Sequence, residues 1–193
     1  PIWMEPIEWL GKARKRQLHL ISNQPKNKLH SQLDNGSLSQ NDRFAGHEIA
    51  LLNPSDANAQ GINHHDIIRV FNSRGACLCA VFLSEDIRNG VIQISTGAWL
   101  DIKDDTDLCR QGNPNVLCID KGTSKLGQGP IAHSCLVEIL VSSESPASLK
   151  VLGANCMSSI SSFASLLYCM MCHCPMNLCT ALCHALLAPF SAM

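Results

Sequence analysis

The sequence predicts a mainly β fold with short helices, closed or nearly closed into a barrel, followed by an unrelated apolar tail. Three observations carry this. Short apolar and β-branched runs recur at close spacing between turn signals, as they do in small barrels. One stretch, beginning at Asn53-Pro54, carries helix-start chemistry. All 31 charged residues (15 Lys+Arg, 16 Asp+Glu) lie in positions 1–150, and Val151–Met193 carries none. Those last residues hold 6 of the 11 cysteines and 5 of the 6 methionines, so the chain reads as two unlike pieces.

The chain opens on Pro1, and residues 1–16 read as a lead-in from an upstream domain, with Trp3 and Trp9 as apolar anchors. The basic run Lys12 to Arg16 reads as a solvated helix end or linker. Leu18–Ile21 alternates and is expected to be the first strand, leaving through Ser22-Asn23-Gln24-Pro25. Residues 26–44 are too polar for core, turn at Asp34-Asn35-Gly36, and read as a binding loop. Ile49–Leu52 is a short strand. Asn53 then caps a helix with Pro54 in its first turn and Gly61 as its stop. Ile67–Phe71 and Ala76–Leu83 form a hairpin through Asn72-Ser73-Arg74-Gly75, and Val91–Ile94, Val116–Ile119 and Leu136–Val141 supply three more strands.

Composition excludes some functions. A net charge of −1 argues against a nucleic-acid partner recruited by a basic surface. Cys77, Cys79, Cys109, Cys118 and Cys135 are odd in number, lack paired metal spacing and read as buried free thiols. Asn63-His64-His65-Asp66 reads as a surface turn rather than a metal site, because adjacent histidines on a turn diverge; either His65 takes a positive φ there or the turn is rebuilt.

Two stretches stand out chemically. Asn23, Gln24, Lys28, His30, Ser31 and Gln32 place amides, a cation, an imidazole and a hydroxyl within ten positions. Amides match the donors and acceptors on a heterocycle edge, while lysine and serine serve phosphate oxygens. Gly112-Asn113-Pro114-Asn115 and Gly122 to Gly129 offer backbone N–H groups and hydroxyls suited to phosphate, without the order of a Walker loop. On chemistry alone these signals are weak, and a solvated polar loop is the better reading of these residues.

The blocks around them resemble a known family. His19-Leu20-Ile21-Ser22-Asn23-Gln24-Pro25 and Leu29-His30-Ser31-Gln32-Leu33 are similar to the carboxy-terminal domain of the biotin sulfoxide, dimethyl sulfoxide and trimethylamine N-oxide reductases, which are molybdopterin enzymes. The likeness continues in unbroken order through Ala45-Gly46-His47-Glu48, Leu52 to Ala57, Ile67 to Gly75, Gly97-Ala98-Trp99, Gly112 to Leu117 and Asp120 to Leu126. This resemblance implies a double-psi β-barrel over residues 17–141 that closes over a bis(molybdopterin guanine dinucleotide) molybdenum cofactor shared with upstream domains. It implies cofactor contacts from Asn23, Gln24, Lys28, His30, Ser31 and Gln32, joined by Asn115, Gln128 and His133 from later loops. Gln24 stands where some relatives carry histidine. The family's serine ligand to molybdenum belongs to an earlier domain, so the resemblance implies a fragment that is silent on its own, in a cytoplasmic or periplasmic enzyme. The alternative is a stand-alone β-barrel interaction module with a membrane-anchoring or metal-binding tail. A concave polar edge shared by these residues favours the cofactor reading.

The tail, residues 142–193, resembles nothing in that family. Phe163–Phe190 is long enough to span a bilayer, but Pro175, Asn177, His173 and His184 argue against membrane contact. Cys169, Cys172, Cys174, Cys179 and Cys183 offer metal ligands without a second Cys-x-x-Cys pair. A reading-frame change near residue 141 accounts for the abrupt shift, and is the favoured of the three.

Overall fold

The hairpin expected at the centre of the sequence organises the molecule. In the computed structural model, which describes residues 2–102 and 106–143, β3 (Ile67–Phe71) and β4 (Ala76–Leu83) pair antiparallel from Phe71↔Ala76 to Ile67↔Ala80. β1 (Leu18–Ile21), β2 (Ile49–Leu52), β5 (Val91–Ile94) and β7 (Leu136–Val141) complete a ring in the order β2-β5-β1-β7-β3-β4, which the β2–β4 pairing closes. β1 runs parallel to β5, and β2 parallel to β4; the other ring pairs are antiparallel. This is the double-psi β-barrel. Closure leaves no edge in the ring open to a foreign strand.

β4 shows how sequence becomes architecture. Its first six residues, Ala76 to Val81, are all buried, and alternate side chains enter different clusters. Cys77, Cys79 and Val81 face the main core with Leu20, Leu52, Ile92, Ile94 and Val137. Leu78 and Ala80 join Ile67 under Phe44 and Leu108 outside the ring. A strand covered on both faces must be apolar throughout, which is what Ala76-Cys77-Leu78-Cys79-Ala80-Val81 supplies. Each Leu, Ile or Val so buried contributes about 1.5–3 kcal/mol.

α2 (Pro54–Gln60) is built as expected. Asn53 Oδ1 accepts from the Ser55 amide at 2.9 Å, Pro54 opens the helix and Gly61 ends it at φ 69°. Asn53 Nδ2 also donates to the Ile87 carbonyl, and Asp56 accepts from the Gly90 amide, so this one cap fastens the entry to β5. His65 takes φ 72° and stacks on Phe44 with ring centroids 4.4 Å apart.

Three elements differ from expectation. Val116–Ile119 is not a strand: Pro114–Leu117 forms a 3₁₀ turn, with Asn113 Oδ1 accepting from the Asn115 amide at 2.9 Å. Asn-Pro starts this turn as it starts α2, and that signal outweighs the short apolar run. α1 (Ser37–Asn41) is a single helical turn inside the polar stretch, and β6 (Leu108–Cys109) adds a two-residue parallel pairing to the start of β4. Both are too short to show a period. Cys77, Cys79, Cys109 and Cys135 are buried and free, and Cys118 is half-buried and free. The anchor and metal readings of the tail concern residues outside the described ones. Among the described residues, no helix is long and apolar enough to cross a membrane and no cluster of metal-ligating side chains occurs.

Candidate functional site

The exits of β1 and β5 lie side by side, and two loops leave from them together. Asn23, just past β1, accepts through Oδ1 from Gln93 Nε2 at 3.0 Å and Ser95 Oγ at 3.1 Å, and through its carbonyl from the Thr96 amide at 2.9 Å. Farther out, Trp99 Nε1 donates to the Ser31 carbonyl at 2.8 Å, and the Trp99 amide donates to Asp34 Oδ2 at 2.9 Å. The segment from Asn23 to Asp34 is thereby laid along residues 95–100. Gly97 permits the approach: it takes φ +99°, and a Cβ there would stand 1.9 Å from the His30 carbonyl oxygen. His30 itself sits at φ 50°, a strained position for a side-chain-bearing residue of the kind that collects at functional sites.

A buried square of charges holds this loop from beneath. Lys28 Nζ lies 2.9 Å from Asp34 Oδ1 and 2.5 Å from Glu48 Oε1. Arg43 Nη2 lies 2.7 Å from the same Asp34 oxygen, and its Nε 2.9 Å from the same Glu48 oxygen. The four side chains are 0–9% exposed, so the two cations and two carboxylates neutralise one another out of water. Burial pushes the Asp34 carboxyl up, but the hydrogen bonds from Lys28 and the Trp99 amide, with the charges of Lys28 and Arg43, outweigh it and hold the group below the usual range.

Between the two loops and the 3₁₀ turn opens a cleft of about 440 Å³, lined by His30, Ser31, Thr96, Gly97, Trp99 and Asn115 among others. It offers an imidazole, two hydroxyls, an amide and the exposed face of an indole, a set suited to a flat polar ring bearing phosphate. Of the residues singled out in the sequence, the structure brings His30, Ser31 and Asn115 together here. Asn23 and Lys28 line a smaller cleft of about 170 Å³, where Lys28 is enclosed by its carboxylates and braces the loop from inside. Gln24 Nε2 donates to the Lys28 carbonyl at 2.6 Å, and Gln32 is exposed.

The later loop stands apart from that cleft. His133 lines another one of about 480 Å³ with Gly122 and Thr123, while its Nδ1 accepts from the Ser22 amide at 3.3 Å. Gln128 takes φ 50°, closes its own loop by donating to the Lys125 carbonyl at 3.3 Å, and packs its side chain on Gly122. Ser22, between His133 and Asn23, carries the sole buried side-chain polar atom without a partner among the described residues. Sequence reasoning passed over Thr96 and Trp99 as site residues. The exposed tryptophan in Gly97-Ala98-Trp99 was the available signal.

Comparison with known proteins agrees with this fold. The family model described as the molydopterin dinucleotide binding domain matches residues 18–136, which are β1 to the start of β7. Biotin sulfoxide reductase of Cereibacter sphaeroides is 45% identical over 139 residues, covering 72% of this chain and 19% of the relative. Trimethylamine-N-oxide reductase 1 of Escherichia coli K12 is 44% identical over 146 residues, again 72% of this chain and 17% of the relative. The chain thus spans less than a fifth of the length of these relatives. Among solved structures, acetylene hydratase from Pelobacter acetylenicus superposes with a TM-score of 0.60 at 16% identity, over 74% of this chain and 21% of that one, a likeness of fold. The matched segment is more than half of the sequence, and the chain belongs to the molydopterin dinucleotide binding domain family.

Proposed function

We propose that this chain binds molybdopterin guanine dinucleotide and acts as the cofactor-holding portion of a molybdenum oxidoreductase that reduces S-oxides or N-oxides. The observation that carries the reading is the convergence of His30, Ser31 and Asn115 on one cleft, within a barrel of this family. The donor set fits the group: hydroxyls of Ser31 and Thr96 for phosphate or ring oxygens, the Asn115 amide for a heterocycle edge, and the Trp99 indole as a flat wall. When bound, molybdenum supplies the two-electron removal of oxygen. The chain's own part is to seat and orient. Asn23 and Trp99 fix the loop that carries His30 and Ser31, and Lys28 locks it from below. His133 and Gln128 contribute, in this proposal, from the neighbouring loop, and Gln24 and Gln32 from the loop's outer face. The second molybdopterin dinucleotide, the ligand to molybdenum and the substrate pocket are assigned to upstream domains like those that make up the rest of the relatives' length.

The test is direct binding. The full chain is titrated with the fluorescent, air-oxidised dinucleotide, alongside His30→Ala combined with Asn115→Ala. The double variant is expected to weaken binding at least tenfold, about 1.4 kcal/mol. Equal affinity for the two proteins removes the cleft from the proposal.

A further inference from the structure

The base of the loop from residue 119 to 134 is closed by two thiols that the cofactor reading does not use. Cys118 follows the 3₁₀ turn, and its Sγ lies 3.4 Å from the Pro114 carbonyl and 3.5 Å from that of Ala132, at the far end of the same loop. Cys135 immediately precedes β7, and its Sγ donates at 3.2 Å to the carbonyl of Leu117, the residue immediately before Cys118. Each thiol therefore reaches into the segment that carries the other. Arg74 Nη2 and Asn72 Nδ2 approach Cys135 Sγ at 3.7 and 3.8 Å from the opposite side. Access is unequal. Cys118 is half-buried, whereas Cys135, Cys77, Cys79 and Cys109 are completely enclosed.

We propose that Cys118 and Cys135 form a redox pair, in which a hydroperoxide oxidises Cys118 and Cys135 resolves it to a disulfide across the base of the loop. The thiolate sulfur of Cys118 attacks the peroxide oxygen, the O–O bond breaks and the alcohol or water departs with a proton, leaving a sulfenic acid. Cys135 sulfur then attacks the sulfenic sulfur, the S–O bond breaks and water carries away the thiol proton. Two thiols and one hydroperoxide become one disulfide, one alcohol and one water, with two electrons passed to the peroxide. The environment favours this order of events. The adjoining Cys135 and the charge of Arg74 bring the Cys118 thiol down to about 7, while the neighbouring Cys118 and burial push Cys135 up. The more accessible member is thus the nucleophile and the enclosed member the resolving thiol.

The experiment treats the full-length chain with hydrogen peroxide near one equivalent, blocks remaining thiols with N-ethylmaleimide and maps the peptides by mass spectrometry. The expected product is a Cys118–Cys135 cross-linked peptide two hydrogens lighter than its parts and reversed by dithiothreitol, with Cys77, Cys79 and Cys109 alkylated only after unfolding. In Cys135→Ser, dimedone is expected to trap a sulfenic acid on Cys118; in Cys118→Ser, Cys135 is expected to stay reduced. The proposal is overturned if peroxide-treated, folded wild-type protein keeps both thiols free, or if Cys118 is joined to any other cysteine. The wild-type map decides the matter even where a variant fails to fold.

Discussion

The backbone amide of Trp99 donates to Asp34 Oδ2, while the other oxygen of Asp34 takes Lys28 and Arg43. One buried carboxylate therefore joins the two loops that bound the cleft to the ion-pair square beneath them. Asp34→Asn keeps the shape and removes the charge, leaving two cations facing one carboxylate out of water. A loss of about 3–5 kcal/mol in unfolding free energy is expected. Urea unfolding monitored by Trp fluorescence measures it; a loss below 1 kcal/mol shows the square to be incidental.

The same carboxylate sets an acid limit. A group held below its unfolded value contributes stability above the unfolded pKa, about 3.9 for Asp, and loses it as pH falls through the folded value. Glu8 acts in the same direction, held low chiefly by its hydrogen bonds to Arg74. Stability in urea is expected to stay level with respect to these two groups from pH 7 to 5 and to fall steadily below about pH 4. In Asp34→Asn the acid slope is expected to be shallower, and an unchanged slope contradicts the assignment.

Gly97→Ala separates positioning from stability. Its Cβ meets the His30 carbonyl, and the residue must keep φ +99°, so the loop has to move. A cost of about 1–3 kcal/mol is expected, with loss of dinucleotide binding out of proportion to it. Full affinity in a folded Gly97→Ala protein counts against the loop's role.

The lead-in is attached to the barrel by Glu8 and Arg74, whose paired contacts are 2.7 and 2.9 Å, while Arg74 Nε donates to the Leu117 carbonyl at 2.7 Å. Lysine keeps the charge and loses the fork. Arg74→Lys is expected to expose residues 9–17 to limited proteolysis at least several-fold faster than in the wild type. Equal digestion rates would show that the Ser134 hydroxyl, which donates to the Glu8 carbonyl at 3.0 Å, suffices to hold the segment.

What the sequence made legible was governed by local chemistry. Asn53-Pro54 and Gly61 mark the start and stop of α2 by local chemistry, and the burial of β4 on both faces demands the apolar run from Ala76 to Val81. α1 and β6 were not legible, since five and two residues are fixed by their neighbours rather than by a period. The same limit applies at the site. The motif block around His30 pointed to a cofactor loop. That Lys28 turns inward to Asp34 and Glu48, whereas Ser31 lines the cleft with Asn115, depends on residues 6 to 84 positions away and on ring closure. Trp99 was visible as part of a block, but its bonds to Ser31 and Asp34 are tertiary facts.

Whether the cleft of His30, Ser31 and Asn115 receives the dinucleotide is decided by a ¹⁵N nuclear magnetic resonance titration of the full chain with the air-oxidised dinucleotide. Perturbed amides are expected to centre on residues 30–31, 96–100 and 113–115. Shifts confined to residues outside these segments, or no shifts at millimolar ligand, contradict binding in the cleft.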